Sequence, residues 1–209
     1  PRTKYKNLLQ QYEADLSIVP KFTQNMVFYP TNKIRVPVNK KNVIASGLVK
    51  EKDADLIVDH IDIDLPSSGL YKNQLLMLDI LANFDWKQPL YFTGGANDNG
   101  EYIWLKDYLQ LDGMAYKLVP IITPMKTYNA AGEITHEKTM FDMGRIDSEK
   151  MYAYFQKLDW RNINDGKIYI DEQTRKNAIS LRNNMLRLAE TFANENNFEK
   201  AEEILDLSL

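Results

Sequence analysis

The stretch 60–95, HIDIDLPSSGLYKNQLLMLDILANFDWKQPLYFTGG, decides the fold. Its first six residues alternate strictly, with Ile61, Ile63 and Leu65 on one face and His60, Asp62 and Asp64 on the other, the two-residue period of a half-buried strand. Ser67 or Ser68 then stands where a helix N-cap belongs. Residues 70–83 follow as a helical pattern that is apolar around nearly its whole circumference, which predicts a buried helix. After Pro89, LYFT (90–93) is a second apolar run, stopped by Gly94-Gly95. A polar loop, a helical pattern at 101–110 and an apolar run at 114–122 complete the series. Strand, helix, strand, helix, strand is the order of a sheet built by crossovers. The expectation is an α/β or α+β domain with a small, mostly parallel sheet and flanking helices.

Working outward, KYKNLLQQYEADL (4–16) reads as a short polar helix, and MVFYPTNKIRVPV (26–38) as an extended segment whose prolines mark an edge strand. Residues 52–59 suit a short helix, 123–147 an irregular insertion, 148–158 a further helix, and 159–173 a loop holding Trp160 and Tyr169. The C-terminal part is periodic: Leu181, Met185, Leu188 and Phe192, then a Glu195-Asn196-Asn197 turn, then Phe198, Ala201, Leu205 and Ser208. This predicts an antiparallel pair of amphipathic helices. The text RLAETFANENNFEKAEEILDLSL (187–209) resembles one tetratricopeptide-repeat unit. The expected organisation is an α/β unit over 1–173 and a helical hairpin over 174–209, packed on that unit or continuing beyond it. A start at Pro1 and a stop within a helix suggest a segment of a longer protein.

Composition narrows the function classes. The 209 residues are 44% hydrophobic and 26% charged, with only 9 Gly and 8 Pro, so the chain can bury a core. A formal charge of −3 argues against a nucleic-acid surface. Zero cysteines exclude disulfides, thiolate zinc sites and a cysteine nucleophile, and no apolar run reaches the length of a membrane span. With only His60 and His136, a histidine-based zinc site or a Ser-His-Asp triad has little to draw on.

Several groups carry candidate chemistry, each beside a plainer reading. Asp62-Ile63-Asp64 has the spacing with which nucleotide-sugar transferases hold a divalent cation, yet Asp53-Ala54-Asp55 repeats it and a solvated strand face explains both. Thr93, Gly94 and Gly95 end a strand where open sheets bind ligands, but the ANDNGE that follows is acidic and there is no phosphate-binding lysine. Asp79 sits among leucines, as a structural hydrogen-bonded acid or one with a raised pKa. Tyr102, with Trp104 and Tyr108, offers aromatic faces to a sugar or belongs to the core. Arg145, in DMGRID, clamps a carboxylate or makes a structural ion pair. Lys33, Arg35, Lys40 and Lys41 form a local basic cluster whose default is a solvated edge.

Read together, YPTNKIRVPV (29–38), IDIDLP (61–66), LYKNQLLMLDILANFDWKQPLYFTGG (70–95), YLQLDGMAYKLVPI (108–121), FDMGRID (141–147) and TRKNAISLRNNMLRLAE (174–190) resemble the C-terminal soluble region of a bacterial membrane-protein family. That family is called domain of unknown function 2723, or glycosyltransferase family 117, and is similar to protein O-mannosyltransferases. The resemblance implies a membrane-embedded catalytic half elsewhere in the protein and an extracytoplasmic, periplasmic place for this segment. The catalytic acid of such enzymes lies near their first membrane spans, so it carries no catalytic residue, metal or cofactor onto this chain. It implies instead an accessory domain whose partners are the membrane half and an acceptor protein or glycan, with no nucleic acid. The candidate ligand-binding residues are Asp62, Asp64, Thr93, Gly94, Gly95, Tyr102 and Arg145. The alternative is a stand-alone, divalent-cation-dependent glycosyl-transferring or hydrolysing enzyme using Asp62 and Asp64 with Asp79 or Asp107; a third reading is a structural spacer.

Overall fold

The structure is a computed structural model that describes residues 32–65, 70, 72–93, 101–139, 142–159 and 169–208, the side chains of residues 101–103, 136 and 137 excepted. The expected helix at 4–16, the first part of the 26–38 strand, the Ser67/Ser68 cap and Trp160 lie outside these residues. The elements in order are β1 (Lys33–Pro37), α1 (Lys40–Ala45), a 3-10 helix (Glu51–Leu56), β2 (His60–Asp64), α2 (Lys72–Ala82), β3 (Tyr91–Phe92), a second 3-10 helix (Glu101–Tyr108), β4 (Leu109–Asp112), β5 (Ala115–Leu118), β6 (Lys126–Tyr128), β7 (Ile134–Glu137), β8 (Arg145–Ile146), α3 (Ser148–Gln156), α4 (Glu172–Asn194) and α5 (Phe198–Ser208). The class is α+β, with small sheets, helices and a C-terminal helical hairpin, as the sequence pattern led us to expect.

The strand pairing differs from the expected parallel order. β1 and β2 form an antiparallel ribbon of their own, and the four-stranded sheet runs β3-β5-β4-β8 with only β4 and β8 parallel. The cause lies at Asp112-Gly113. The apparent helix at 101–110 ends at Tyr108, and residues 109–118 fold into a hairpin whose two-residue turn places Gly113 at φ +68°. Such a turn requires a first residue with positive φ, which glycine adopts without strain. The insertion at 123–147 contains the exposed hairpin β6–β7 and then β8.

The ribbon shows why its residues alternate. Ile34 faces Ile63 and Val36 faces Ile61 on the buried side, while Lys33 faces Asp64 and Arg35 faces Asp62 on the other. Trp86 stitches this ribbon to the rest: its ring is fully buried, its Nε1 donates to the Pro37 carbonyl at 2.9 Å, and Phe84 tilts against it at 4.8 Å between ring centroids. Helix α2 is less buried than its composition suggests. Met77 and Leu81 reach the core, but Leu76 is 63% and Ile80 45% exposed.

The hairpin follows the predicted stripe. Met185, Leu188 and Phe192 of α4 and Ala201 and Ile204 of α5 are buried, and Asn196 turns the chain in the left-handed region at φ +60°. It docks on the sheet through Arg187, which is 7% exposed and whose Nη2 donates to the carbonyls of Asp142, Met143 and Gly144 at 3.1, 2.9 and 3.2 Å. Gly144, at φ +81°, lets this strand approach β4 so closely that an added Cβ would lie 3.0 Å from the Leu109 carbonyl oxygen.

Two glycines with the same backbone angle give a test. Gly47 and Gly113 both sit at φ +68°, but a Cβ at Gly47 meets nothing within 4 Å, whereas at Gly113 it falls 2.7 Å from the Tyr154 ring. Gly47→Ala should cost the conformational penalty alone, about 1 kcal/mol, and Gly113→Ala about 2–4 kcal/mol, since overpacking adds to it. In denaturant unfolding, Tyr154→Ala in the same chain should recover the excess of the second substitution and leave the first unchanged.

Candidate functional site

The sequence-predicted residues do not converge. Asp62 and Asp64 stand on the solvent face of the β1–β2 ribbon, where each answers a base in register. Arg35 holds Asp62 through Nε and Nη2 at 2.7 and 3.0 Å, and Lys33 lies 3.7 Å from Asp64. The hydrogen bond from Arg35 keeps the Asp62 carboxyl below the usual carboxylate range, with the positive charge itself adding to the effect. His60 reaches Asp62 at 3.6 Å. Among the described residues no three His, Asp or Glu side chains gather as a metal-binding set. Thr93 is exposed just past β3; Gly94, Gly95 and the side chain of Tyr102 lie outside the described residues. Asp107 is occupied locally, accepting from the Met125 backbone N–H at 3.2 Å.

Arg145 belongs to a different place, a polar layer on one face of the four-stranded sheet. Register puts Tyr91, Lys117, Gln110 and Arg145 side by side across β3, β5, β4 and β8, all on that face. Phe92, Tyr116, Leu111 and Ile146 make the matching row on the opposite face. The polar row is roofed by the segment after α1. Lys117 donates to the Leu48 carbonyl at 3.0 Å, Lys50 pairs with Asp147 at 2.7 Å, and Arg145 Nη2 pairs with Asp53 at 2.7 Å. At the outer end Asp112 accepts from Tyr91 at 2.8 Å and pairs with Lys150 at 2.9 Å. Asp147 is also the N-cap of α3, accepting from the Lys150 backbone N–H at 3.1 Å.

Charge in this layer is poorly solvated, and the ionisation of its members shows it. Burial, with the positive charge of Lys150 second, lowers the Lys117 pKa from 10.5 to about 8, against the pull of Asp112 and Asp147. Burial opposes ionisation of Asp147 too, but the hydrogen bonds from Lys50 and from the Lys150 backbone outweigh it and hold the carboxyl below its ordinary value. Lys150 is likewise penalised by burial, yet its hydrogen bond to Asp112 carries its pKa upward.

A second feature is an open cleft of about 520 Å³ between the end of α2 and β3, walled by Asp79, Ile80, Phe84, Asp85, Pro89 and Leu90. Between its lining residues Asp85 and Lys87 the chain passes through a strained residue. Trp86 holds φ +63°, a region that bulky side chains avoid, and three hydrogen bonds pin it there: Asn42 to the Asp85 carbonyl at 2.7 Å, Ser46 to the Trp86 carbonyl at 3.0 Å, and the indole to Pro37. The exposed Leu76 and Ile80 continue the cleft's apolar side along α2.

Sequence reasoning found Arg145 and missed its surroundings. Lys117 had a usable signal, a lysine in the middle of the apolar run AYKLVPII, because lysine is almost never fully buried without a reason. Gln110, Lys150 and Asp147 had none at long range, since Lys50 and Asp147 are 97 positions apart and Asp53 and Arg145 are 92 apart.

Residues 2–150 match the family model described as TMEM260-associated domain 2. No curated protein and no solved structure matches the chain.

The depressed Lys117 pKa sets a pH signature. Between about pH 8 and about 10 the unfolded chain holds a proton on this lysine that the folded chain has released, so stability must rise with pH across that window. The raised Lys150 pKa acts only above the window, where its stabilisation is lost. Lys117→Met should raise the thermal midpoint at pH 7 and flatten the rise, measured by thermal unfolding at stepped pH.

Proposed function

The chain belongs to the TMEM260-associated domain 2 family, a domain tied to a membrane protein family, and from that membership we propose that it is a non-catalytic accessory domain of a membrane-embedded, protein O-mannosyltransferase-like glycosyltransferase. In this reading the transferase half carries the chemistry, and the present segment, displayed outside the cytoplasm, holds the acceptor polypeptide close to it. The finer assignment to domain of unknown function 2723 is part of the same proposal and draws on the phrase resemblance in the sequence. No helix among the described residues is long and apolar enough to cross a membrane, so on this view another part of the protein would supply the anchor.

The observation that carries the non-catalytic reading is how the ribbon's acids are engaged. A catalytic or cation-binding carboxylate pair needs oxygens aimed at a common point. Asp62 instead spends both oxygens on Arg35, and Asp64 faces Lys33 across the ladder. The acceptor surface we favour is the cleft beside Trp86. Its apolar side runs on through Leu76 and Ile80, and its rim carries Asp79 and the Asp85–Lys87 ion pair at 2.7 Å, a combination that suits an extended polypeptide with apolar and polar residues.

Two experiments test this. Titrating the chain calorimetrically with calcium or manganese should give no heat that Asp62→Asn combined with Asp64→Asn removes; heat that this pair abolishes would favour the cation-dependent enzyme. In the membrane-bound parent protein, Ile80→Arg should raise KM for a protein acceptor about tenfold and leave kcat within twofold, because one lost apolar anchor costs about 1.5 kcal/mol of binding. An unchanged KM, or sugar transfer by the isolated chain, would overturn the accessory reading.

A further inference from the structure

Among the described residues, the polar layer under the 3-10 helix holds one more base than acid. Its bases are Lys50, Arg145, Lys150 and Lys117; its acids are Asp147, Asp53 and Asp112, each matched to one of the first three bases at 2.7, 2.7 and 2.9 Å. Lys117, 2% exposed, is left with a backbone carbonyl. Across the neighbouring strand, Arg145 gives only Nη2 to Asp53, and its Nη1 is buried with no hydrogen-bond partner. Gln110, 5% exposed, stands between the two in register and brings an amide to the same face. An unanswered guanidinium edge and an unpaired ammonium flanking one amide are costly as they stand. Together they place donors on one face of the sheet whose charge and hydrogen bonds a small anion would answer.

We infer that this face of the sheet, above Gln110 and between Lys117 and Arg145, is a binding site for one oxyanion group, a carboxylate or a phosphate. The site is built rather than incidental. Its donors sit on rigid strands in fixed register, the roof is held by the Asp53 and Asp147 pairs, and the outer end is gated by Tyr91, 43% exposed, with Lys150 beside it. The bound group supplies the missing charge, takes hydrogen bonds from the Arg145 Nη1 edge and from Lys117, and leaves the three existing pairs in place. Burial pushes the Lys117 pKa down to about 8, and an anion seated beside the ammonium would carry it upward again. This inference is independent of the accessory role, since it concerns only the donors of this sheet.

The test is thermal unfolding of the 209-residue chain at pH 7 and constant ionic strength, with chloride replaced by acetate or by inorganic phosphate. At a hundredfold excess over the dissociation constant, one of the two should raise the midpoint by about 5 °C; which one acts decides between the carboxylate and phosphate sources. Lys117→Met should abolish the rise, and Arg145→Lys, which keeps a cation for Asp53 but lacks Nη1, should weaken binding at least about tenfold, the worth of one charge-assisted hydrogen bond. Should Lys117→Met fail to fold, the lysine ammonium signals of the wild-type chain serve instead: the anion should move the Lys117 titration upward from about pH 8. No midpoint change beyond the chloride control, a shift that persists in both variants, or an unmoved Lys117 titration would each overturn the site.

Discussion

The ion pairs that tie the four-stranded sheet to the segment after α1 and to the start of α3 constrain this molecule in a way its apolar core does not. Apolar side chains tolerate exchange at similar volume, but each of these pairs needs two particular groups, and they come from distant parts of the chain. Lys50 and Asp53 come from the turn region after α1, Lys117 and Asp112 from the central hairpin, Arg145 from β8, and Asp147 and Lys150 from the start of α3. The pairs therefore fix where the 3-10 helix lies over the sheet and where α3 starts. Asp147 serves twice, as the Lys50 partner and as the helix cap, so the start of α3 and the placement of the roof are set by one carboxylate.

On the other face the constraint is of a different kind. Arg187 reaches from α4 to three consecutive carbonyls of the strand leading into β8. Charge-assisted bonds of this sort are worth roughly twice neutral ones. They let the parallel strand join the edge of an otherwise antiparallel sheet, and they seat the helical hairpin against it. Gly144 is the complement of that contact, for without a side chain it admits β8 to its place beside Leu109.

What could be read from the sequence was what short-range periodicity encodes. The hairpin at 172–208 and the β2 strand followed from spacings of three to four and of two residues. The Lys33-x-Arg35 and Asp62-x-Asp64 phrases are complementary in retrospect: they face each other in an antiparallel ladder. The expected parallel sheet does not form because EYIWLKDYLQ mixes helical spacing with the first residues of β4, and Asp112-Gly113 turns the chain into an antiparallel hairpin. Helix α2 keeps Leu76 and Ile80 exposed because a leucine-rich circumference does not specify how much of it finds a partner. Of the candidate site residues, Arg145 was the one that the structure places among other charged groups buried with it. Its neighbours were illegible because ion pairing over some 90 positions leaves no mark in local pattern.

Both margins of the four-stranded sheet are two-residue strands, Tyr91–Phe92 and Arg145–Ile146. A foreign strand that approached either margin would find room for one or two backbone bonds before the ladder ran out, too few to hold it. The β6–β7 ribbon, which is longer and open to solvent, carries a register slip at Thr127/Tyr128 that spoils its regularity as a template. The four-stranded sheet is thus guarded against polymerising edge to edge.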